Sequence, residues 1–488
     1  MSYIEQCEQE QLHLCGEIQP HGALLVISAE GNVNSLSSNI HSLLSLESSL
    51  VIGQPIPSEL TDLIASTDYT KTHQYRAFLD AHQRQFDVTV SKQDDIICLE
   101  FIPTPPAAPN SPDSFQLPAV LHDSSEKDLL RKQLLKWIQN LTGHERVIYY
   151  QFMENGDGHV LEEVCINPEM GSYLDLRFPA SDIPKIARTL YCQNPWREIP
   201  AARQNSLPIL GDGTHPDLTH TDLRSVSPIH RQYMANMGID SSVSFPLTKQ
   251  GNLDALVSCH SSDPHKLPLY TLRKVAKTCR SYNLLQRELD TRQRQILLDE
   301  FSSHTHPIQK LLNSGAGLAQ IWEELCNELI HYFNVDGVIL CGDSWAFHYG
   351  ATLNQEALEH LDYWFMNSGD SRAFWSDHLK GLLSDLPLTE VAGVAGIKFQ
   401  PRTQGFPTYY RLYLCRGEHI HEVSWGGNPN KPVENLSPDS IVSPRISFSK
   451  WVEKRLGYSH PWCGTIDIQL HQFRQLLEVA TLNLDIHS

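Results

Sequence analysis

Two arginines and several serines in the middle of the sequence could hold a ligand that carries carboxylates. Arg197 follows an Asn-Pro-Trp triplet, and Arg224 opens a segment that continues to His230. A guanidinium group can donate two parallel hydrogen bonds to one carboxylate, and nearby hydroxyl groups add further donors. The hydroxyls that could do so are those of Ser227, Ser242 and Ser244. The pattern therefore indicates an anion site.

Two histidines lie close to this set in the sequence. His230 and Tyr233 follow Pro228 and are three residues apart, so on a helix they share one face. His260 comes directly after the strand-like run 255–259. A single histidine on a helix most often has no ligand, and one at a strand end is most often a polar terminus. Taken singly, these residues indicate no particular chemistry.

The segment 175–184 carries a carboxylate, that of Asp182, just ahead of a helix-like run. Asp182 stands two residues before Pro184, and residues 185–191 are apolar-periodic. An acceptor side chain at the cap and a proline in the first turn are typical of a helix start. We therefore predict that Asp182 caps this helix, while its carboxylate could also face a partner elsewhere.

Cys7 is the candidate for a reactive thiol. It lies in a short polar segment, Glu5-Gln-Cys-Glu-Gln-Glu10, where it has no core to fill. The flanking glutamates would raise the thiol pKa and so lower the thiolate fraction, which leaves its reactivity ambiguous. Cys15 is a second thiol nearby.

Motifs for metal or nucleotide chemistry are missing from the sequence. His419 and His421 alternate on a strand-like run and share a face, but no third ligand is evident. No Walker loop, GxSxG elbow or HExxH motif occurs.

Strand-like and helix-like runs alternate along the chain and predict a mixed α/β protein. Strand-like runs lie at residues 22–27, 86–90, 96–102, 146–152, 242–247 and 255–259. A proline-rich connector lies at 103–112, directly after the third of these runs. Residues 267–300 predict one long helix with an apolar stripe, and residues 466–484 predict another helix.

Bulk composition excludes several classes of protein. The chain has 488 residues, 41% hydrophobic and 19% charged, which is globular composition and room for about three domains. A net charge of −19 argues against nucleic acid or an anionic membrane as a partner. No apolar run reaches membrane-spanning length, the polar N-terminus is no signal peptide, and 11 scattered cysteines suit a reducing cytosol. We therefore expect a cytoplasmic protein.

The segment 7–22 resembles the N-terminal signature of bacteriophytochromes, and the loop 175–184 resembles the signature loop of phytochrome photoreceptors. In that family the cysteine that matches Cys7 forms a thioether to biliverdin IXα. Cys15 stands where the family commonly has proline and could compete for the pigment. Ile229 occupies the attachment position of plant phytochromes and cannot form a thioether, so the resemblance is to the biliverdin class.

The resemblance also implies roles for the residues described above. Arg197 and Arg224 match the residues that clamp the two propionates, with Ser227, Ser242 and Ser244 in support. His230 would lie under the pyrrole nitrogens, and His260 would bond the D-ring carbonyl; Ser261 replaces a second histidine common in the family. The remaining members of the implied site are Tyr150, Phe178, Asp182, Ile183, Pro184, Tyr191 and Tyr233.

The third block of the chain resembles the tongue hairpin that is specific to phytochromes. It contains the segment 425–429, which begins at Trp425, and the segment 443–448, which includes Arg445 and Ser447. In the family, Arg445 would pair with Asp182 in the dark state. After illumination Ser447 would take over that contact, and the hairpin would refold towards helix.

The resemblance predicts three domains with central antiparallel sheets joined by long helices: PAS with its linker (1–118), GAF (119–300) and PHY (301–488, tongue about 415–455). It implies a figure-of-eight knot at the N-terminus. It also implies a red/far-red photoreceptor that switches between Pr and Pfr, a homodimer, and an output domain, a histidine kinase or diguanylate cyclase, outside this chain. The chain itself would not be an enzyme. A light-independent GAF sensor of a small ligand and an enzyme acting on a tetrapyrrole are the alternatives.

Overall fold

The structure is a computed structural model that describes residues 10–65, 68, 71–93, 95–105, 114–211, 213–369, 371–387, 389–401, 409–429 and 448–480. Cys7, Arg445 and Ser447 lie outside these residues. The chain divides into two compact units, one of residues 1–289 with 424–451 and one of residues 290–423 with 452–488. The predicted domain boundaries near 118 and 300 stay predictions.

Strands and helices alternate along the chain, so the structure is mixed α/β as predicted. In chain order the strands are β1 (Glu17–Ile18), β2 (Ala23–Ser28), β3 (Val33–Ser37), β4 (His73–Leu79), β5 (Gln85–Gln93), β6 (Ile96–Pro103), β7 (Arg146–Phe152), β8 (Gly158–Cys165), β9 (Arg177–Phe178), β10 (Arg197–Ile199), β11 (Leu207–Leu210), β12 (Ser241–Lys249), β13 (Asn252–Ser261), β14 (Gly337–Cys341), β15 (Ala346–Gly350), β16 (Ala373–Ser376), β17 (Val391–Phe399), β18 (Tyr410–Gly417), β19 (His421–Gly426) and β20 (Lys450–Arg455). The helices are α1 (Ile40–Leu43), α2 (Ser58–Ala65), α3 (Ser124–Thr142), α4 (Lys185–Gln193), α5 (Pro228–Asn236), α6 (Leu269–His304), α7 (His306–Leu312), α8 (Leu318–Phe333), α9 (Gln355–Met366), α10 (Leu379–Leu382) and α11 (Ile466–Val479).

The first sheet combines strands from two distant parts of the sequence. Its order is β1-β11-β3-β2-β6-β5-β4, and each strand is antiparallel to its neighbours. Strand β11 comes from a loop more than a hundred residues after the others, and it pairs with both β1 and β3. The amide of Gln19 also bonds the carbonyl of Leu223. These contacts between the N-terminal segment and the later loop support the predicted knot, whose threading stays a prediction.

The second sheet carries most of the residues that the sequence singled out. Strands β10, β12, β13, β7, β8 and β9 follow one another in antiparallel pairs. Helices α3 and α6 pack on one face of this sheet through a buried apolar cluster. Asp123 caps the start of helix α3, where its carboxylate accepts from the amide of Glu126, and Gly143, with φ +74°, caps its end. Helices α4 and α5 lie on the opposite face of this sheet.

The predicted capping role of Asp182 is wrong. Asp182 ends a short 3₁₀ turn, Ala180–Asp182, and helix α4 begins three residues later at Lys185. Pro184 stands at the cap position with extended backbone and has no side-chain acceptor to offer. The fixed φ of proline starts this helix without a carboxylate cap.

The sheet of the second unit is covered on both faces. Its order is β15-β14-β18-β17-β16, all antiparallel. Successive residues of β14 point to opposite sides: Leu340 joins the core with α8 and α11, whereas Ile339 joins the core with α9. Within the described ranges, no helix combines the length and the apolar character that a membrane span requires.

Candidate ligand-binding site

One cavity in the first unit gathers every described residue that the sequence analysis assigned to the pigment site. The cavity has a volume of about 200 Å³ and lies between the second sheet and helices α4 and α5. The predicted residues that line it are Tyr150, Phe178, Asp182, Ile183, Pro184, Tyr191, Arg197, Arg224, Ser227, His230, Tyr233, Ser242, Ser244 and His260. Their shared location is a finding, whereas their binding roles stay predictions.

The two arginines are held in place by one loop. Arg197 donates to the carbonyls of Asp222 and Arg224, the latter at 2.6 Å, and Arg224 donates to the carbonyl of Leu218 at 3.2 Å. Burial, and to a smaller extent the charge of the nearby Arg197, lowers the pKa of Arg224 to about 10. The guanidinium group therefore stays charged at neutral pH. Two neighbouring guanidiniums in a partly buried site create a positive field that favours an anionic ligand.

Serine hydroxyls accompany the arginines because of strand register. Arg197 on β10 pairs with Ser244 on β12, and Ser242 lies two residues away on the same face. The hydroxyl of Ser244 is hydrogen-bonded to that of Ser258 at 2.8 Å. Burial raises the pKa of Tyr191, which hydrogen-bonds Ser244, so its phenol stays neutral.

The two cavity histidines are neutral. Burial lowers the pKa of His260 to about 3, with smaller contributions from Arg146 and His144. Burial and Arg197 lower the pKa of His230 to about 4. The Nδ1 atom of His260 is buried and has no hydrogen-bond partner among the described residues. An imidazole of this kind offers a ligand one donor or one acceptor. The unpaired Nδ1 of His260 therefore fits a polar group of a bilin.

Aromatic side chains form a close-packed wall of the cavity. The rings of Tyr150 and Phe178 lie 6.0 Å apart, and Tyr173 packs edge-on against Phe178 at 5.5 Å. Gly158 makes this wall possible, since a Cβ there would lie 1.8 Å from Cζ of Tyr150. Such an apolar wall with a few polar groups is typical of cofactor sites.

Helix α5 and the segment 424–429 meet the same wall. The rings of His230 and Tyr233 stack at 6.1 Å, which confirms that they share a helix face. Phe448 packs edge-on against Tyr233 at 5.1 Å. Trp425 pairs in parallel with Arg177, and a Cβ on Gly426 would lie 2.7 Å from the Phe178 ring. The predicted tongue segment therefore contacts the residues around the cavity.

Several cavity residues were missed by the sequence analysis. Ser258 could have been found, because it alternates with His260 on β13 and so shares its face. Tyr173 and Glu10 gave no local signal. Cys15 is absent from the lining as far as the described residues show; its thiol donates to the carbonyl of Glu17 at 3.3 Å. Around His419 and His421, as elsewhere in the described ranges, no group of three or more ligands that could hold a metal ion occurs.

Comparisons with known proteins agree with this architecture. A family model described as "Phytochrome region" matches residues 291–481, and one described as "PAS fold" matches residues 7–104. Cyanobacterial phytochrome B of Nostoc sp. is 28% identical over 99% of this chain and 66% of its own length. A bacteriophytochrome of Pseudomonas aeruginosa is 28% identical over 95% of this chain and 64% of its own.

Solved structures show the same fold. The bacteriophytochrome RpBphP3 from R. palustris superposes with a TM-score of 0.81, at 24% identity and with 97% of this chain and 98% of that chain covered. The photosensory core module of the Stigmatella aurantiaca phytochrome gives 0.77 at 25% identity, covering 96% of both chains. Together these matches support a phytochrome photosensory core module, with a PAS fold at residues 7–104 and a phytochrome region at residues 291–481. The chain spans just under two thirds of the length of the curated relatives named above.

Proposed function

We propose that this module binds biliverdin IXα through a thioether to Cys7 and switches between Pr and Pfr states in red and far-red light. The observation that carries the proposal is the single cavity that unites two arginines, two neutral histidines and an aromatic wall. The pigment, when bound, supplies light absorption and isomerisation of its C15=C16 double bond. The chain supplies binding, orientation and electrostatics.

Each part of the cavity has a distinct task in this proposal. Arg197 and Arg224 hold the propionates, and the loop carbonyls that accept from them keep both guanidinium groups in position. The serines at 227, 242 and 244 add hydroxyl donors. His230 and His260, both neutral, hydrogen-bond the pyrrole nitrogens and the D-ring carbonyl without adding charge. Tyr150, Phe178 and Tyr233 enclose the ring that turns.

The proposal extends to signalling through the tongue. Asp182 would pair with Arg445 in the dark, and Ser447 would replace that contact in the light as the hairpin refolds. The contact of Phe448 with Tyr233 and that of Gly426 with Phe178 support a tongue that senses the cavity wall. This is a two-state element biased by local hydrogen bonds and packing.

We further infer a cytoplasmic homodimer that acts on an output domain, a histidine kinase or a diguanylate cyclase. Exposed apolar side chains on α6, Leu284 and Leu298, lie two heptads apart in the sequence and support pairing of this helix with a copy of itself. Size-exclusion chromatography with light scattering tests this step, and a monomer at micromolar concentration would contradict it.

Absorbance spectroscopy tests the core of the proposal. The apoprotein mixed with biliverdin should develop a far-red band that red light shifts and darkness or far-red light restores. Zinc-induced fluorescence on a denaturing gel should be lost in Cys7→Ala and kept in Cys15→Ala. A protein that binds biliverdin but leaves the band unchanged in light would instead support a light-independent sensor. Loss of fluorescence only in Cys15→Ala would move the linkage to Cys15.

A further inference from the structure

Glu10 places a carboxylate inside the cavity, beside the groups that should hold the propionates. Its side chain lines the cavity together with Arg197, Arg224 and Ser227. The Ser227 hydroxyl donates a hydrogen bond of 2.9 Å to Oε2 of Glu10, across 217 positions of sequence. Neither the sequence patterns nor the proposed function gives Glu10 a role.

This hydrogen bond uses a hydroxyl that a ligand carboxylate would need. A serine hydroxyl carries one proton and can donate it to one acceptor at a time. Glu10 is half-buried, and burial raises the pKa of its carboxyl group while the bond from Ser227 lowers it. An ionised Glu10 also repels a second carboxylate at close range, because partial burial weakens screening by water.

We propose that Glu10 competes with a ligand carboxylate for Ser227 and so controls the rate at which a pigment with propionates docks. The proposal rests on the proposed function, since it concerns the same cavity. Glu10 is a positioning residue in this scheme: docking of the propionate requires Glu10 to release Ser227.

The position of Glu10 in the chain makes this release consequential. Two residues separate it from Cys7, and three positions of chain span at most about 11 Å. Competition at Ser227 would therefore take place within a short stretch of chain from the thiol that the proposed function assigns to the pigment.

A purely structural role for Glu10 makes a different prediction. If the bond to Ser227 only fastens the N-terminal segment, its loss would affect every ligand of the cavity alike. If the two carboxylates compete, its loss would affect only ligands that carry carboxylates. Biliverdin carries these carboxylates, whereas its dimethyl ester does not, so the two pigments separate the two roles.

Stopped-flow absorbance of pigment docking separates the two roles. Glu10→Ala removes both the oxygen that accepts from Ser227 and the negative charge, whereas glutamine would keep an acceptor oxygen. We expect Glu10→Ala to raise the association rate of biliverdin about fivefold, because the hydroxyl is released for the ligand and a like charge near the site is gone, and to leave that of the dimethyl ester unchanged. Glu17→Ala, an equal charge change at an exposed position of β1, should alter neither rate.

The Ser227→Ala background completes the test. There Glu10→Ala should accelerate the docking of biliverdin clearly less, because the shared hydroxyl is already gone and only the like charge is removed, so the two changes are coupled. Equal acceleration of both pigments, slower docking of biliverdin, or an unchanged effect in Ser227→Ala would each overturn the competition. Failure of the unsubstituted chain to bind biliverdin would instead overturn the proposed function itself.

Discussion

The hydroxyl of Tyr233 donates a hydrogen bond of 2.9 Å to a carboxylate oxygen of Asp182. The bond joins helix α5 to the turn that precedes helix α4, and Phe448 packs on the same tyrosine ring. Asp182 thus has a partner within the cavity wall as well as the partner proposed for it in the tongue. One carboxylate serves both helix packing and the proposed signal.

Tyr233→Phe should destabilise the module by about 1–2 kcal/mol, because a hydrogen bond to a partly buried carboxylate is lost without loss of the ring. Urea unfolding monitored by circular dichroism measures the difference. Tyr363→Phe is the matched control, since Tyr363 is 75% exposed. Equal midpoints for the two variants would show that the Asp182 bond contributes nothing to stability.

Gly426→Ala should loosen the segment 424–429 from the cavity wall. The new Cβ would lie 2.7 Å from Cε1 and Cζ of Phe178, closer than such contacts tolerate, so the ring or the backbone must shift. Hydrogen exchange of the amides in 424–429 should become faster by about tenfold, which corresponds to about 1.4 kcal/mol. Gly464→Ala, where a Cβ meets nothing within 4 Å, is the control and should leave this exchange unchanged.

Stability should fall as the medium becomes acidic from pH 6.5 towards 4. Burial lowers the pKa of His144 and of His260 to about 3, well below the usual value near 6.5. Between these values the unfolded chain binds protons that the folded chain refuses, so the free energy of unfolding decreases with falling pH. His144→Phe should show a shallower decline between pH 6.5 and 5 in urea titrations, and a slope identical to that of the unsubstituted chain would contradict the argument.

A buried acid should act in the opposite direction. Burial, and then the charge of Asp222, raises the pKa of Glu100 to about 8, while its Oε1 accepts the amide of Leu223 at 2.7 Å. Its contribution is full below about pH 4.5 and is lost as the pH rises through 8. Glu100→Gln keeps the acceptor and cannot ionise, so it should lose less stability between pH 6 and 9. A steeper loss than in the unsubstituted chain would show that Glu100 is ionised when folded.

Local patterns predicted the elements but not the contacts between them. Strand β7 was predicted from its apolar run at its observed bounds, 146–152. Helix α6 was predicted as 267–300 and spans Leu269–His304, because no glycine or proline interrupts it. Both signals are periodic within one element, which is what burial on one face imposes on a sequence.

The predicted capping role of Asp182 was wrong because a contact distant in the sequence, and not a local pattern, holds its side chain. Its carboxylate is bonded by Tyr233, which lies 51 positions away, so a tertiary contact rather than the local cap determines its conformation. The bond from Ser227 to Glu10 joins residues 217 positions apart, and no spacing rule can reveal it. Resemblance to a family found the rest of the cavity, because it carries information about three-dimensional neighbours.

Strand β11 has a consequence for anyone who wishes to shorten this protein. The sequence suggests a convenient cut in the proline-rich connector at 103–112, yet β11 lies between β1 and β3 in the first sheet. A fragment that ends at the connector would expose the edge of β3, and an open edge invites intermolecular pairing. The first hundred residues are therefore not an independent building block, and a smaller derivative must retain the chain at least through Leu210.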